Sequence, residues 1–196
     1  LYLTIYSTSM PKKDKSKTPE LSKCPDRVLA IDPGTRRVGT AIFDGQDLIY
    51  ENARDYRYQA DTNKLLRLIS KELERLVQAY RPSMIVLEKT FFYSHTRSAR
   101  STRVDAMIKR LAASHGTPVV VLSARTIRWI LLGNGNATKF ELAQEICRYH
   151  PRLSIYLKQR WDYASTHWSN LFDAVAVGQA YLVREKRIKT LRRLRS

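Results

Sequence analysis

Three acidic residues of this 196-residue chain stand where solvation is not their natural use. Asp32 closes the apolar run Val28-Leu29-Ala30-Ile31, and Glu88 closes Met84-Ile85-Val86-Leu87. Asp173 falls in the expected first turn of an otherwise apolar helix. An isolated buried charge is costly, and a bound cation would give all three carboxylates a partner. Hard oxygen donors of this kind suit Mg²⁺ or Mn²⁺, and a pair of such ions can activate water and stabilise the leaving oxygen in phosphodiester cleavage. Singly, each residue has an ordinary use. Asp32 can cap a turn, Glu88 can pair with Lys89 or Arg97, and Asp173 can favour the positive end of its helix. The three together, on a strongly basic chain, point to a metal site.

The elements that must position these groups follow from periodicity. Residues 28–42 read as two antiparallel strands joined through Pro33-Gly34, with Asp32 at the lip of the first. Residues 47–54 add a third short strand after the turn at Asp44-Gly45. A helix capped by Asp61, Thr62 or Asn63 carries Leu65, Leu66, Ile69, Leu73, Leu76 and Val77, and stops at Arg81-Pro82. Residues 83–87 form a continuous apolar run, the mark of a strand covered on both faces. A second helix carries Val104, Met107, Ile108, Leu111 and Ala112, and residues 119–122 supply another buried strand. Helices follow over 124–132 and 137–149, then a loop from 152 to 168, then a last helix from Ser169 or Asn170 into the basic end at 184–195. The fold class is therefore α/β: a mixed five-stranded sheet, three antiparallel N-terminal strands plus parallel strands, flanked by helices. Neighbouring parallel strand ends lie about 5 Å apart, and ligand sites in open α/β sheets sit outside such ends. Asp32 and Glu88 belong there.

Size and charge narrow the partners. The length suits one domain over 27–188, with a flexible basic arm over 1–26, in which Met10 offers a start site, and a basic tail over 189–196. A formal net charge of +17 attracts polyanions, of which nucleic acid is the commonest large one. No segment has the unbroken apolar length that spans a bilayer. Cys24 and Cys147 form no CxxC pair, and His95, His115, His150 and His167 lack metal-ligand spacing, which disfavours zinc and disulfides and fits an intracellular setting, cytoplasmic, nucleoid-associated or organellar. Arg97, Arg100 and Arg103 follow Phe91, Phe92 and Tyr93 at a spacing of three. A helix there would show a basic stripe to phosphates beside rings on which unpaired bases stack.

The order of motifs resembles the RuvC-type Holliday-junction resolvases over residues 27–184. The likeness rests on Ile31-Asp32-Pro33-Gly34-Thr35 through Gly39, and on Val86-Leu87-Glu88 followed by Phe91. It continues through Ala124-Arg125-Thr126-Ile127-Arg128, Gly133-Asn134-Gly135, Ala137-Thr138-Lys139 and Phe172-Asp173-Ala174-Val175-Ala176-Val177-Gly178. The resemblance implies an RNase H-like fold and a homodimer that cuts four-way DNA junctions with Mg²⁺. It further implies Asp32, Glu88 and Asp173 as metal ligands, Arg128 and Lys139 beside the scissile phosphate, and Phe91 at the junction. No small-molecule cofactor is implied. The family usually has an acid or a histidine three positions before the last Asp, where this chain has Asn170. Asn170 shares a helix face with Asp173 and would ligate a second ion only as a neutral, weaker partner. His167 is the substitute if a loop returns it to the site. The rival classes are a non-catalytic branched-DNA or RNA-binding module, with Asn170 as its sign, and an actin-like or sugar-kinase-like ATPase. The ATPase class needs two large lobes, and this chain has residues for one.

Overall fold

The computed structural model describes residues 24–34, 36–89, 99–157 and 167–194. Three strands open the fold, β1 (Cys24–Asp32), β2 (Arg37–Asp44) and β3 (Asp47–Asp55), antiparallel in succession. Helix α1 (Thr62–Tyr80) starts where the Asp61 carboxylate accepts hydrogen bonds from the Asn63 and Lys64 amides, and ends at Arg81 in the left-handed conformation. Strand β4 (Pro82–Lys89) then returns beside β1 and parallel to it, with Ile31 opposite Leu87. Helix α2 (Ala99–Ser114) leads to β5 (Val119–Ser123), parallel to β4. The sheet order is β3-β2-β1-β4-β5, the mixed arrangement expected from the strand patterns. The chain closes with α3 (Ala124–Leu132), α4 (Lys139–Tyr149), a 3₁₀ turn (Pro151–Leu153), α5 (Ser154–Leu157) and α6 (His167–Arg193).

Strand alternation sorts the core into two layers. Leu29, Ile31, Ile42, Ile85 and Leu87 meet α1 and α2 on one face. Ala30, Ala41, Phe43, Val86 and Leu122 meet α3, α4 and α6 on the other. Asp32 continues the parity of Ala30, and Glu88 that of Val86, so both carboxylates fall on the α6 side of the sheet. Residues 171–180 of α6 are buried throughout, the mark of a helix enclosed on all sides. Two glycines permit its close approach: a Cβ on Gly39 would lie 1.9 Å from the Asn170 carbonyl oxygen, and one on Gly178 would lie 2.3 Å from the Phe43 ring.

Four boundaries differ from the sequence reading. β1 begins at Cys24, so residues 24–26 belong to the sheet rather than to a basic arm, while residues 1–23 lie outside the described part. Residues 151–157, read as the start of a loop, are helical, because tertiary contacts fix a segment without a period of its own. Leu153 is fully buried, Arg152 donates to the Leu48 carbonyl at 2.8 Å, and the Tyr156 ring stacks on Trp168 at 4.2 Å. α6 starts at His167, which puts Asp173 in its second turn rather than its first. The same helix extends to Arg193, so most of the expected tail is its last turns.

Gly39→Ala should therefore be costly well beyond its volume, since it drives a methyl group into the α6 backbone. A loss of about 1–3 kcal/mol in urea unfolding is expected, and a variant as stable as the parent would show that the strand and helix separate more freely than this packing implies.

Candidate active site

The carboxyl ends of β1 and β4 and the second turn of α6 meet at one edge of the sheet. Asp32 and Asp173 are both buried, and Glu88 is half-buried. Asp32 and Glu88 each follow the Ile31–Leu87 pair by one residue, which makes them neighbours on adjacent strands. The Asp32 carboxylate accepts a hydrogen bond from the Asn170 side-chain amide at 2.7 Å. One turn further along α6, Asp173 accepts from the Lys139 ammonium. The partner that the sequence reading assigned to a cation is thus supplied, for Asp173, by a side chain 34 residues away.

Lys139 arrives there through turn chemistry. Ser123 caps α3, Gly133 ends it at φ 69°, and the Asn134 side chain accepts from the Asn136 amide. Thr138 and Glu141 then form a reciprocal capping box that starts α4 with Lys139 as its first residue. Arg128, on α3, is close enough to Glu88 to act on its charge, and its Nε is buried without a hydrogen-bond partner.

The electrostatics carry an unbalanced negative charge. Burial, then the charge of Asp173, pushes Asp32 up to about 7 against the pull of Asn170 and Lys139. Burial, then Asp173 and Asp32, pushes Glu88 up to about 9 against Lys139 and Arg128. Burial alone would lower the Lys139 ammonium, yet Asp173, Asp32 and Glu88 together raise it. The donor set fits a hard divalent cation in chemistry: buried carboxylate oxygens with more negative charge than the protein itself neutralises. Among the described residues, no three carboxylate, thiol or imidazole groups already stand at ion-holding spacing.

The other expected site residues divide. Phe91 and Arg97 lie outside the described residues. The stripe reading of Arg100 and Arg103 meets a different outcome: Arg100 donates to the carbonyls of Gln59, at 3.2 Å, and Ala60 and to the Thr62 hydroxyl, and Arg103 donates to the Asn63 side chain. These two arginines brace α2 against the start of α1, because the carbonyls ahead of that helix need donors. His167 already belongs to α6, as its first residue. Two residues that the sequence did not single out, Asp105 and Lys109, line a cleft of about 340 Å³ with Glu88 and Lys89. Their spacing of four on α2 was the available signal.

The raised carboxyls set a pH dependence. Above about pH 4 an unfolded chain has lost these protons, while the folded protein keeps them toward 7 at Asp32 and 9 at Glu88. The folded state then binds more protons, so stability falls as pH rises through that window. The thermal midpoint of metal-free protein should drop between about pH 5 and about pH 8. Asp32→Asn combined with Glu88→Gln should flatten the slope, and an equal slope in parent and variant would count against this charge balance.

The chain matches the model of the family described as crossover junction endodeoxyribonuclease RuvC over residues 28–151. It is 31% identical over 126 residues to the protein of that name from Methylococcus capsulatus, an alignment covering 62% of this chain and 75% of the relative. The structure superposes on Thermus thermophilus RuvC solved in complex with Holliday junction substrate, with TM-score 0.65 and 18% identity, covering 82% of this chain and 95% of the other. It superposes equally on the yeast mitochondrial Holliday junction resolvase, with TM-score 0.65 and 13% identity over 87% and 83%. These likenesses establish the RNase H-like fold, and the family-model match goes further: the chain belongs to the RuvC family of crossover junction endodeoxyribonucleases.

Proposed function

We propose that this protein hydrolyses phosphodiester bonds in branched DNA, above all four-way junctions, at the site formed by Asp32, Glu88 and Asp173. The observation that carries the reading is the gathering of three carboxylates, two of them buried, at one sheet edge beside Lys139 in a chain of this family. Asp32, Glu88 and Asp173 would hold divalent cation, Mg²⁺ with Mn²⁺ as a substitute. Bound there, it would lower the barrier to water attack and relieve charge on the leaving oxygen. Asn170 orients Asp32 through its amide hydrogen bond. Lys139 and Arg128 neutralise the phosphate under attack, the second through a guanidinium Nε that has no partner among the described residues. Phe91, by the family resemblance, and Arg97, by its place in the basic stripe, extend the contact to the junction. Arg100 and Arg103 keep the bracing role described above.

Selectivity rests on junction shape, because phosphate contacts position a protein without reading base edges. Paired nicks across a four-way junction need two such sites, so the acting unit is a homodimer. A non-catalytic binding module is the second reading, favoured by Asn170 where the family carries a charged or imidazole ligand.

A synthetic four-way junction separates them. Asp32→Asn or Glu88→Gln should cut at below about one hundredth of the parent rate with Mg²⁺, while junction binding in gel shift stays within a few-fold. Undiminished cutting by both would remove the site, and a parent that binds but never nicks would leave the binding module. Affinity should also fall by about two to three orders of magnitude between roughly 50 and 200 mM salt, as a flat response would not.

A further inference from the structure

We propose that Lys139 is a displaceable internal counter-ion: in the metal-free protein its ammonium takes the cation position on Asp173, and it yields that position only to a divalent ion. The inference rests on the metal-site reading of Asp32, Glu88 and Asp173 given above and deepens it. Its first support is the contact itself, an ammonium seated on the buried Asp173 carboxylate. The second is that nothing local recommends a cation there. Lys139 is the first residue of α4, at the positive end of the helix dipole, where an acidic or neutral residue is favoured. A locally unfavourable choice held by a distant partner marks a residue selected for the site rather than for its helix. The third is the uneven treatment of the carboxylates. Asp173 has an ammonium, Asp32 has the neutral Asn170 amide, and Glu88, which has no hydrogen-bond partner among the described residues, feels Lys139 and Arg128 through space.

The consequence concerns ion count. Mg²⁺ is held by one or two carboxylates, the rest of its shell being water and substrate oxygen. Asp32 and Glu88 suffice for one ion while Lys139 stays in place. A second ion needs Asp173, and therefore needs Lys139 to leave. Once released, the 39% exposed Lys139 side chain is free to turn toward the phosphate it serves in the reaction. One lysine thus fills two positions in succession, and the free protein avoids three unscreened charges in one pocket.

Calorimetric titration of the DNA-free full chain with Mn²⁺ tests this without any turnover. The parent should bind one ion tightly and a second only weakly, in the Mn²⁺ range that displaces Lys139, and Lys139→Met should bind that second ion about tenfold more tightly. Lys139→Arg, which keeps the charge, should follow the parent. Identical isotherms for the parent and Lys139→Met would overturn the proposal. Asp32→Asn serves as the reference: loss of the parent isotherm in that variant keeps the metal-site reading standing even if the Lys139 proposal falls. Absence of Mn²⁺ binding by every form would remove both. Because Lys139→Met leaves Asp173 without its partner and can fail to fold, the parent is also labelled by reductive methylation and read at Lys139 by mass spectrometry. Labelling should be slow without ions and several-fold faster with saturating Mn²⁺, and equal rates would overturn the proposal.

Discussion

Like charges repel most where water is scarcest, and this fold brings three carboxylates to one partly dry sheet edge. Two are carried by adjacent strands whose apolar neighbours lock them in place, and the third by a helix buried over ten successive residues. Neither partner can retreat without opening a core layer. The repulsion is therefore absorbed by protonation at Asp32 and Glu88, by the Lys139 ammonium on Asp173 and by the Asn170 amide on Asp32. Packing far from the carboxylates sets how close they stand. Gly178 against Phe43 and Gly39 against the Asn170 backbone bring α6 down to the sheet, so bulk at either glycine would change the charge balance as well as the stability.

The sheet handles charge in two ways. Away from Asp32, Glu88 and Asp173, carboxylates meet arginines: Arg27 with Asp44, Arg152 with Glu51, and Arg37 and Arg57 with Asp55. His150 and Gln179 satisfy each other at 2.9 Å beneath them. Such pairs hold register and contribute little energy each. Around Asp32, Glu88 and Asp173 the cations are fewer than the carboxylates, and the buried Arg128 Nε has no partner among the described residues. The chain is strongly basic as a whole, so this local shortage is a matter of placement.

Much of this was legible in the amino-acid order. Apolar runs that stop in Asp32 and Glu88 announced two buried strands with acid at the tip, and the capping and stop signals of α1 and α3 fell within a residue or two of their true ends. That both carboxylates share one face needed the register of β1 against β4, with Ile31 opposite Leu87. What stayed hidden depends on contacts between distant segments. No local pattern pairs Lys139 with Asp173, ties Arg100 to the carbonyls ahead of α1, or folds residues 151–157 against Leu48 and Trp168. Arg100 and Arg103 show the limit well: helical spacing makes a stripe, and only the neighbour across from it decides whether phosphate or peptide carbonyl receives the charge.

Asn170 joins stability to function. An acid at this position would place a fourth carboxylate beside Asp32, in a pocket where Asp32 is already pushed to about 7. The amide removes that charge and donates a hydrogen bond to Asp32, so it favours the metal-free fold twice over. On the metal-site reading proposed above, the same exchange would weaken a second ion's site, because a neutral oxygen replaces an anionic one and the amide nitrogen is already committed to Asp32. A site with fewer anionic ligands must draw more of its positive charge from the protein, and Lys139 and Arg128 stand where that charge is needed. Repulsion among these carboxylates is relieved in part by side chains of the protein itself, the Lys139 ammonium on Asp173 and the Asn170 amide on Asp32.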